Sequence, residues 1–63
     1  MPIIQVNLME GRSDEQKEAL IAALTDATVQ SLGAPRDSVR VLLNEMPKTH
    51  WGIGGKSAKA LGR

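Results

Sequence analysis

Ile3-Ile4-Gln5-Val6-Asn7-Leu8-Met9, followed by Glu10-Gly11-Arg12 and then Ser13-Asp14-Glu15-Gln16 at the head of a long periodic run, decides the fold of this chain. Ile4, Val6 and Leu8 alternate with Gln5 and Asn7, the period of two of a strand with one face buried, which predicts a first strand over Ile3–Met9. Glu10-Gly11-Arg12 breaks the alternation. Ser13 then offers a hydroxyl at the N-cap of a helix and Gln16 an amide three residues on, the reciprocal pair of a capping box. Asp14 and Glu15 fall where the positive end of a helix dipole favours acids. Leu20, Ile21, Leu24, Ala27, Thr28 and Leu32 recur at helical spacing. Gly33 stops the helix and Pro35 prevents its resumption, which predicts a helix from Asp14 to Leu32.

Outward from this stretch, Val39 to Asn44 reads as a second strand, with Val39, Val41 and Leu43 on one face and Arg40, Leu42 and Asn44 on the other. Apolar residues on both faces suit a central strand. Strand, long helix and strand in one short chain predict an α/β fold built on a single βαβ unit with parallel strands and a right-handed crossover. One helix covers one face of two strands, and two strands make a poor sheet. Sheet edges are therefore expected to pair between chains by dimerisation into a four-stranded sheet, with uncovered faces, Leu42 included, packing on further subunits.

The 63 residues form one expected domain, 1–63, without cysteine, with one Trp and with neither Phe nor Tyr. A domain of this size buries only roughly 60% of the surface its unfolded chain exposes, and such scaffolds need disulfides, metal or association. Without cysteine, and with His50 as the single histidine, association is the remaining choice. The missing cysteines fit a reducing compartment. There is no apolar run long enough to span a membrane and no signal-peptide pattern, so the expected location is cytoplasmic, with no membrane partner. The net charge of +1 argues against strong polyanion binding. A basic tail without interleaved aromatics or a helical basic face likewise gives no nucleic-acid signature.

Met46-Pro47-Lys48-Thr49-His50-Trp51-Gly52-Ile53-Gly54-Gly55 reads as a loop leading into a C-terminal hairpin. Its glycines suggest a phosphate cradle only loosely, because neither a Walker lysine nor a dinucleotide fingerprint accompanies them. Trp51 is the one large aromatic, suited to plugging a subunit contact or walling a pocket. His50 lacks a second ligand or an orienting carboxylate nearby and is left out of the site. From Pro47 to Arg63 there is no acid, while Lys48, Lys56, Lys59 and Arg63 make either a solvated tail or one wall of an anion site.

Pro2 has two readings. It is a tolerated strand-start proline, or, once Met1 is removed, a terminal secondary amine able to accept a proton. In a parallel pair, Pro2 and Arg40 belong to the same end of the sheet, while Arg12 lies past the far end, roughly 30 Å away at strand rise. If both arginines serve one site with Pro2, Arg12 must come from a neighbouring subunit. Taken singly, Arg40 is equally an interface ion-pair partner, and Arg12 a partner for the adjacent Glu10.

Together, Met1-Pro2-Ile3-Ile4, Leu8-Met9-Glu10-Gly11-Arg12-Ser13-Asp14-Glu15-Gln16-Lys17, Ser38-Val39-Arg40-Val41 and His50-Trp51-Gly52-Ile53-Gly54-Gly55 resemble the 4-oxalocrotonate tautomerases across essentially the whole chain. The resemblance implies a homohexamer, a trimer of βαβ dimers with sites shared between subunits. It also implies a cofactor-independent keto–enol isomerase of aromatic degradation. Pro2 would act as general base on a 2-hydroxydienoate such as 2-hydroxymuconate, giving the 2-oxo-enoate. Arg40 would hold the 2-oxo acid end and Arg12 the distal carboxylate, each through a planar fork that meets a carboxylate bidentately. Trp51 stands at the family's aromatic wall, where phenylalanine is the better-known occupant, so the larger indole could reshape the pocket. Burial beside Trp51, Leu8 and Ile4, together with the two arginines, would hold the Pro2 amine unprotonated.

Two alternatives stay open. Superfamily relatives that hydrate or dehalogenate haloacrylates add a water-activating carboxylate, which Pro47–Arg63 does not offer. An oligomeric anion-binding module could use the same arginines without catalysis.

Overall fold

The computed structural model describes residues 1–63. β1 (Ile3–Met9) leads to α1 (Asp14–Leu32), which returns the chain to β2 (Arg40–Met46). β1 and β2 pair in parallel, from Ile3 opposite Arg40 to Met9 opposite Met46. The Glu10 N–H donates to the Met46 carbonyl at 2.9 Å, carrying the ladder one residue further. β3 (Gly52–Ile53) and β4 (Lys56–Ser57) form a separate antiparallel hairpin. Its two-residue connection, Gly54-Gly55, has φ of 61° and 92°, the left-handed pair that a tight hairpin turn matched to strand twist requires.

The predicted helix boundaries hold because their signals are local. The Gln16 N–H donates to Ser13 Oγ at 3.1 Å and the Ser13 N–H to Gln16 Oε1 at 3.0 Å, so the capping box closes in both directions. At the other end Gly33 takes φ 66° and donates its N–H to the Val29 carbonyl.

The second strand differs from expectation at both ends. Val39 lies outside the ladder, following a short 3-10 turn over Arg36–Ser38, and its N–H donates to the Arg36 carbonyl. Glu45 and Met46 join the strand instead, held by pairing with Leu8 and Met9.

The covered face of the sheet carries Ile4, Val6, Leu8, Val41 and Leu43, all half-buried beneath α1. The helix meets it with Leu20, Ile21, Leu24, Thr25, Thr28 and Val29. The Thr25 and Thr28 hydroxyls donate to the Ile21 and Leu24 carbonyls, so neither enters this layer unpaired. Ala27 and Leu32, expected on the packed stripe, face outward instead. At 19 residues α1 is about 28 Å long against about 23 Å for a seven-residue strand, so its last turn outruns the sheet and Leu32 is 68% exposed.

The opposite sheet face is open, presenting Ile3 (58% exposed) and Leu42 (46%) among Gln5, Asn7, Arg40 and Asn44. Ala58 is the only fully buried residue in an elongated molecule of 43 × 23 × 13 Å. No helix is long and apolar enough to cross a membrane.

Candidate active site

Pro2 immediately precedes β1, and its half-buried position follows from the ladder that begins there. Its carbonyl accepts the Arg40 N–H at 3.0 Å. Pro2 and Arg40 therefore share one end of the sheet, as parallel topology predicts. The Arg40 side chain is exposed and forms no ion pair. Its guanidinium Nη1 instead donates to the Asp37 carbonyl at 2.6 Å, a contact supplied by the short turn before β2. This anchors one nitrogen of the fork and leaves its other donors available for an anion.

Arg12 stands in the β1–α1 connection, beyond the opposite end of the ladder. Gly11 beside it takes φ 124°, a conformation that L side chains rarely adopt, and turns the chain from strand toward helix. The alternative of an Arg12 tied up by Glu10 is not realised. Glu10 Oε1 accepts the Lys48 N–H at 3.4 Å, whereas Arg12 forms neither a side-chain hydrogen bond nor an ion pair. The structure thus brings together Pro2 and Arg40 and keeps Arg12 apart from both.

Trp51 is half-buried after a 3-10 turn over Lys48–His50 and leads directly into β3. Its carbonyl accepts the N–H of the buried Ala58 at 2.7 Å, which ties the hairpin back onto the aromatic. His50 is exposed. The single chain forms no pocket around any of these residues.

At the Arg12 end lies a side-chain network that joins an i,i+3 helical pair, Asp14 and Lys17, to Glu45, a contact that no local sequence pattern marks. Lys17 Nζ stands 2.9 Å from Glu45 Oε1 and 3.3 Å from Asp14 Oδ1. The Glu45 hydrogen bond, then that of Asp14, raises the Lys17 ammonium above the ordinary lysine range despite lost hydration.

The family model described as "Tautomerase enzyme" matches residues 2–61. The chain belongs to the tautomerase family. It is 62% identical over all 63 residues of both proteins to the 2-hydroxymuconate tautomerase of Stutzerimonas stutzeri. Among solved structures, it matches a 4-oxalocrotonate tautomerase isozyme of Methylibium petroleiphilum with a TM-score of 0.93 at 53% identity, covering 98% of this chain and 100% of that one. It also matches a heterohexameric 4-oxalocrotonate tautomerase from Chloroflexus aurantiacus J-10-fl at 0.90 and 39% identity, covering 97% and 98%. Tautomerase family membership makes this chain an enzyme of the isomerase type, and a non-catalytic anion-binding module is not favoured.

Proposed function

We propose that this tautomerase ketonises a 2-hydroxydienoate of the 2-hydroxymuconate type, using the Pro2 amine freed by removal of Met1, in one domain spanning residues 1–63 that assembles as a hexamer. The amine takes the 2-hydroxyl proton while the conjugated electron pair shifts. It then returns a proton to a carbon further along the chain, leaving the 2-oxo-enoate and a regenerated base. No atom is gained or lost. Arg40 binds the 2-oxo acid end, where its fixed charge stabilises the negative oxygen that develops. Arg12 of another subunit binds the distal carboxylate, and Trp51 forms an apolar wall.

The observation that carries this reading is the Pro2–Arg40 hydrogen bond at one end of the sheet, with unpaired Arg12 beyond the other. No metabolite-sized diacid spans that separation within one subunit, so the site needs a second copy. The open face bearing Ile3 and Leu42 gives such copies an apolar surface to cover. The 62% identity to a protein named for 2-hydroxymuconate supports the substrate class.

Supplying 2-hydroxymuconate and 3-chloroacrylate in parallel tests the reaction. Efficient ketonisation with negligible dehalogenation is expected, and the reverse ranking would refute proton transfer as the principal chemistry.

A further inference from the structure

We propose that Lys17 is a positioning residue that keeps the Arg12 guanidinium free for substrate by holding two carboxylates that would otherwise pair with it. The inference rests on Arg12 binding the distal carboxylate, as proposed above.

Arg12 sits among acids. Glu10 precedes it by two residues and Asp14 follows it by two. Glu45 belongs to the same cluster, since one Lys17 ammonium touches both it and Asp14. Arg12 is exposed and shares its end of the sheet with these acids, yet it forms an ion pair with none of them. Three of them are engaged elsewhere: Glu10 Oε1 accepts the Lys48 N–H at 3.4 Å, Glu45 contacts Lys17 Nζ at 2.9 Å, and Asp14, its side chain 99% exposed, contacts the same ammonium at 3.3 Å, while Glu15, three residues past Arg12, forms no ion pair. An ammonium carries three donors and no acceptor, so one lysine can serve both carboxylates.

Placement explains why Lys17 can do this. It lies in the first turns of α1, and the parallel crossover brings that end of the helix beside the end of β2 that carries Glu45. The Lys17 side chain is only 22% exposed, so its position is constrained by packing as well as by charge. Like any lysine it is cationic at neutral pH, and the two carboxylates reinforce that state.

If Lys17 lost its charge, Asp14 and Glu45 would be left as unpaired anions near Arg12. A substrate carboxylate would then have to displace an internal one. That cost falls on binding, and proton transfer at Pro2, at the opposite end of the sheet, is not involved.

The test compares Lys17→Gln with wild type on two substrates. For 2-hydroxymuconate the expected KM rises about threefold, as the loss of an exposed ion pair would give, with kcat held. For a 2-hydroxydienoate lacking the distal carboxylate, KM is unchanged. Adding Asp14→Asn and Glu45→Gln to Lys17→Gln removes the competing anions and returns the KM to the wild-type value. A purely structural tie would remain broken in that triple variant, so a KM that stayed high there would overturn the proposal. Lys17→Arg keeps the cation and retains the wild-type KM. Arg12→Ala, run in parallel, separates the two levels of the argument. If it leaves the dicarboxylate KM unchanged, the reading of Arg12 fails and the role of Lys17 fails with it. If it raises that KM while Lys17→Gln does not, only the role of Lys17 is wrong.

Discussion

The Arg40 N–H donates to the Pro2 carbonyl at 3.0 Å, joining the proposed base and the proposed anion-binding residue through the first backbone bond of the parallel ladder. The bond places the two main chains side by side, while the Arg40 guanidinium is held by its own contact to the Asp37 carbonyl; donors positioned before substrate arrives need little reorganisation during reaction.

Arg40→Ala removes the fork but leaves the backbone bond in place. Charge-assisted hydrogen bonds contribute about 1.5–3 kcal/mol each, so kcat/KM should fall on the order of 10²-fold. Arg40→Lys should recover only part of this, because an ammonium cannot meet a carboxylate with two parallel donors. Steady-state kinetics on 2-hydroxymuconate measure both.

Leu42 tests the assembly. It stands 46% exposed on the uncovered sheet face, which the proposed hexamer buries. Leu42→Glu places a carboxylate in that contact at a desolvation cost of several kcal/mol, so sedimentation should show smaller species and activity should fall with them. A hexamer of unchanged stability would show that this face is not a subunit contact.

Ser13→Ala breaks the capping box and should lower stability by about 1 kcal/mol, since an N-terminal helix donor loses its acceptor. Ser13→Asp, which restores an acceptor at the cap, should recover most of it. Urea unfolding at fixed protein concentration reads the difference.

The Lys17 pair gives a pH dependence of definite sign. Because folding raises the Lys17 pKa, its stabilisation is complete below the unfolded lysine value and is lost as pH rises through the higher folded value. The urea midpoints of wild type and Lys17→Gln should therefore differ at neutral pH and converge in strongly alkaline solution.

The parts of the fold that could be read from sequence are those whose causes are local. Ser13 with Gln16, and Gly33 with Pro35, mark the two ends of α1 by chemistry confined to a few residues. β2 was less legible. Val39 has a strand-forming side chain, but the turn over Arg36–Ser38 takes its N–H. Glu45 has no strand signal of its own and is held extended by its partner Leu8. Leu32 lies on the helical stripe, yet the helix is longer than the sheet it covers.

The same division runs through the site. The shared end of Pro2 and Arg40 follows from parallel topology. The engagement of Arg40 by the Asp37 carbonyl depends on a turn that sequence did not reveal. The Lys17–Glu45 contact joins residues 28 positions apart and becomes visible only once the crossover has brought the start of the helix to the end of the second strand.

The most direct test of the account compares ketonisation of 2-hydroxymuconate by two preparations of this chain that differ only at the N-terminus. One has lost Met1, verified by intact mass, and the other retains a residue before Pro2, so that the proline nitrogen is an amide. The account predicts turnover by the first and a loss of about 10²–10⁴-fold in the second, the range contributed by a positioned general base. Equal rates from both would contradict it, because an amide nitrogen has no basicity with which to move the proton.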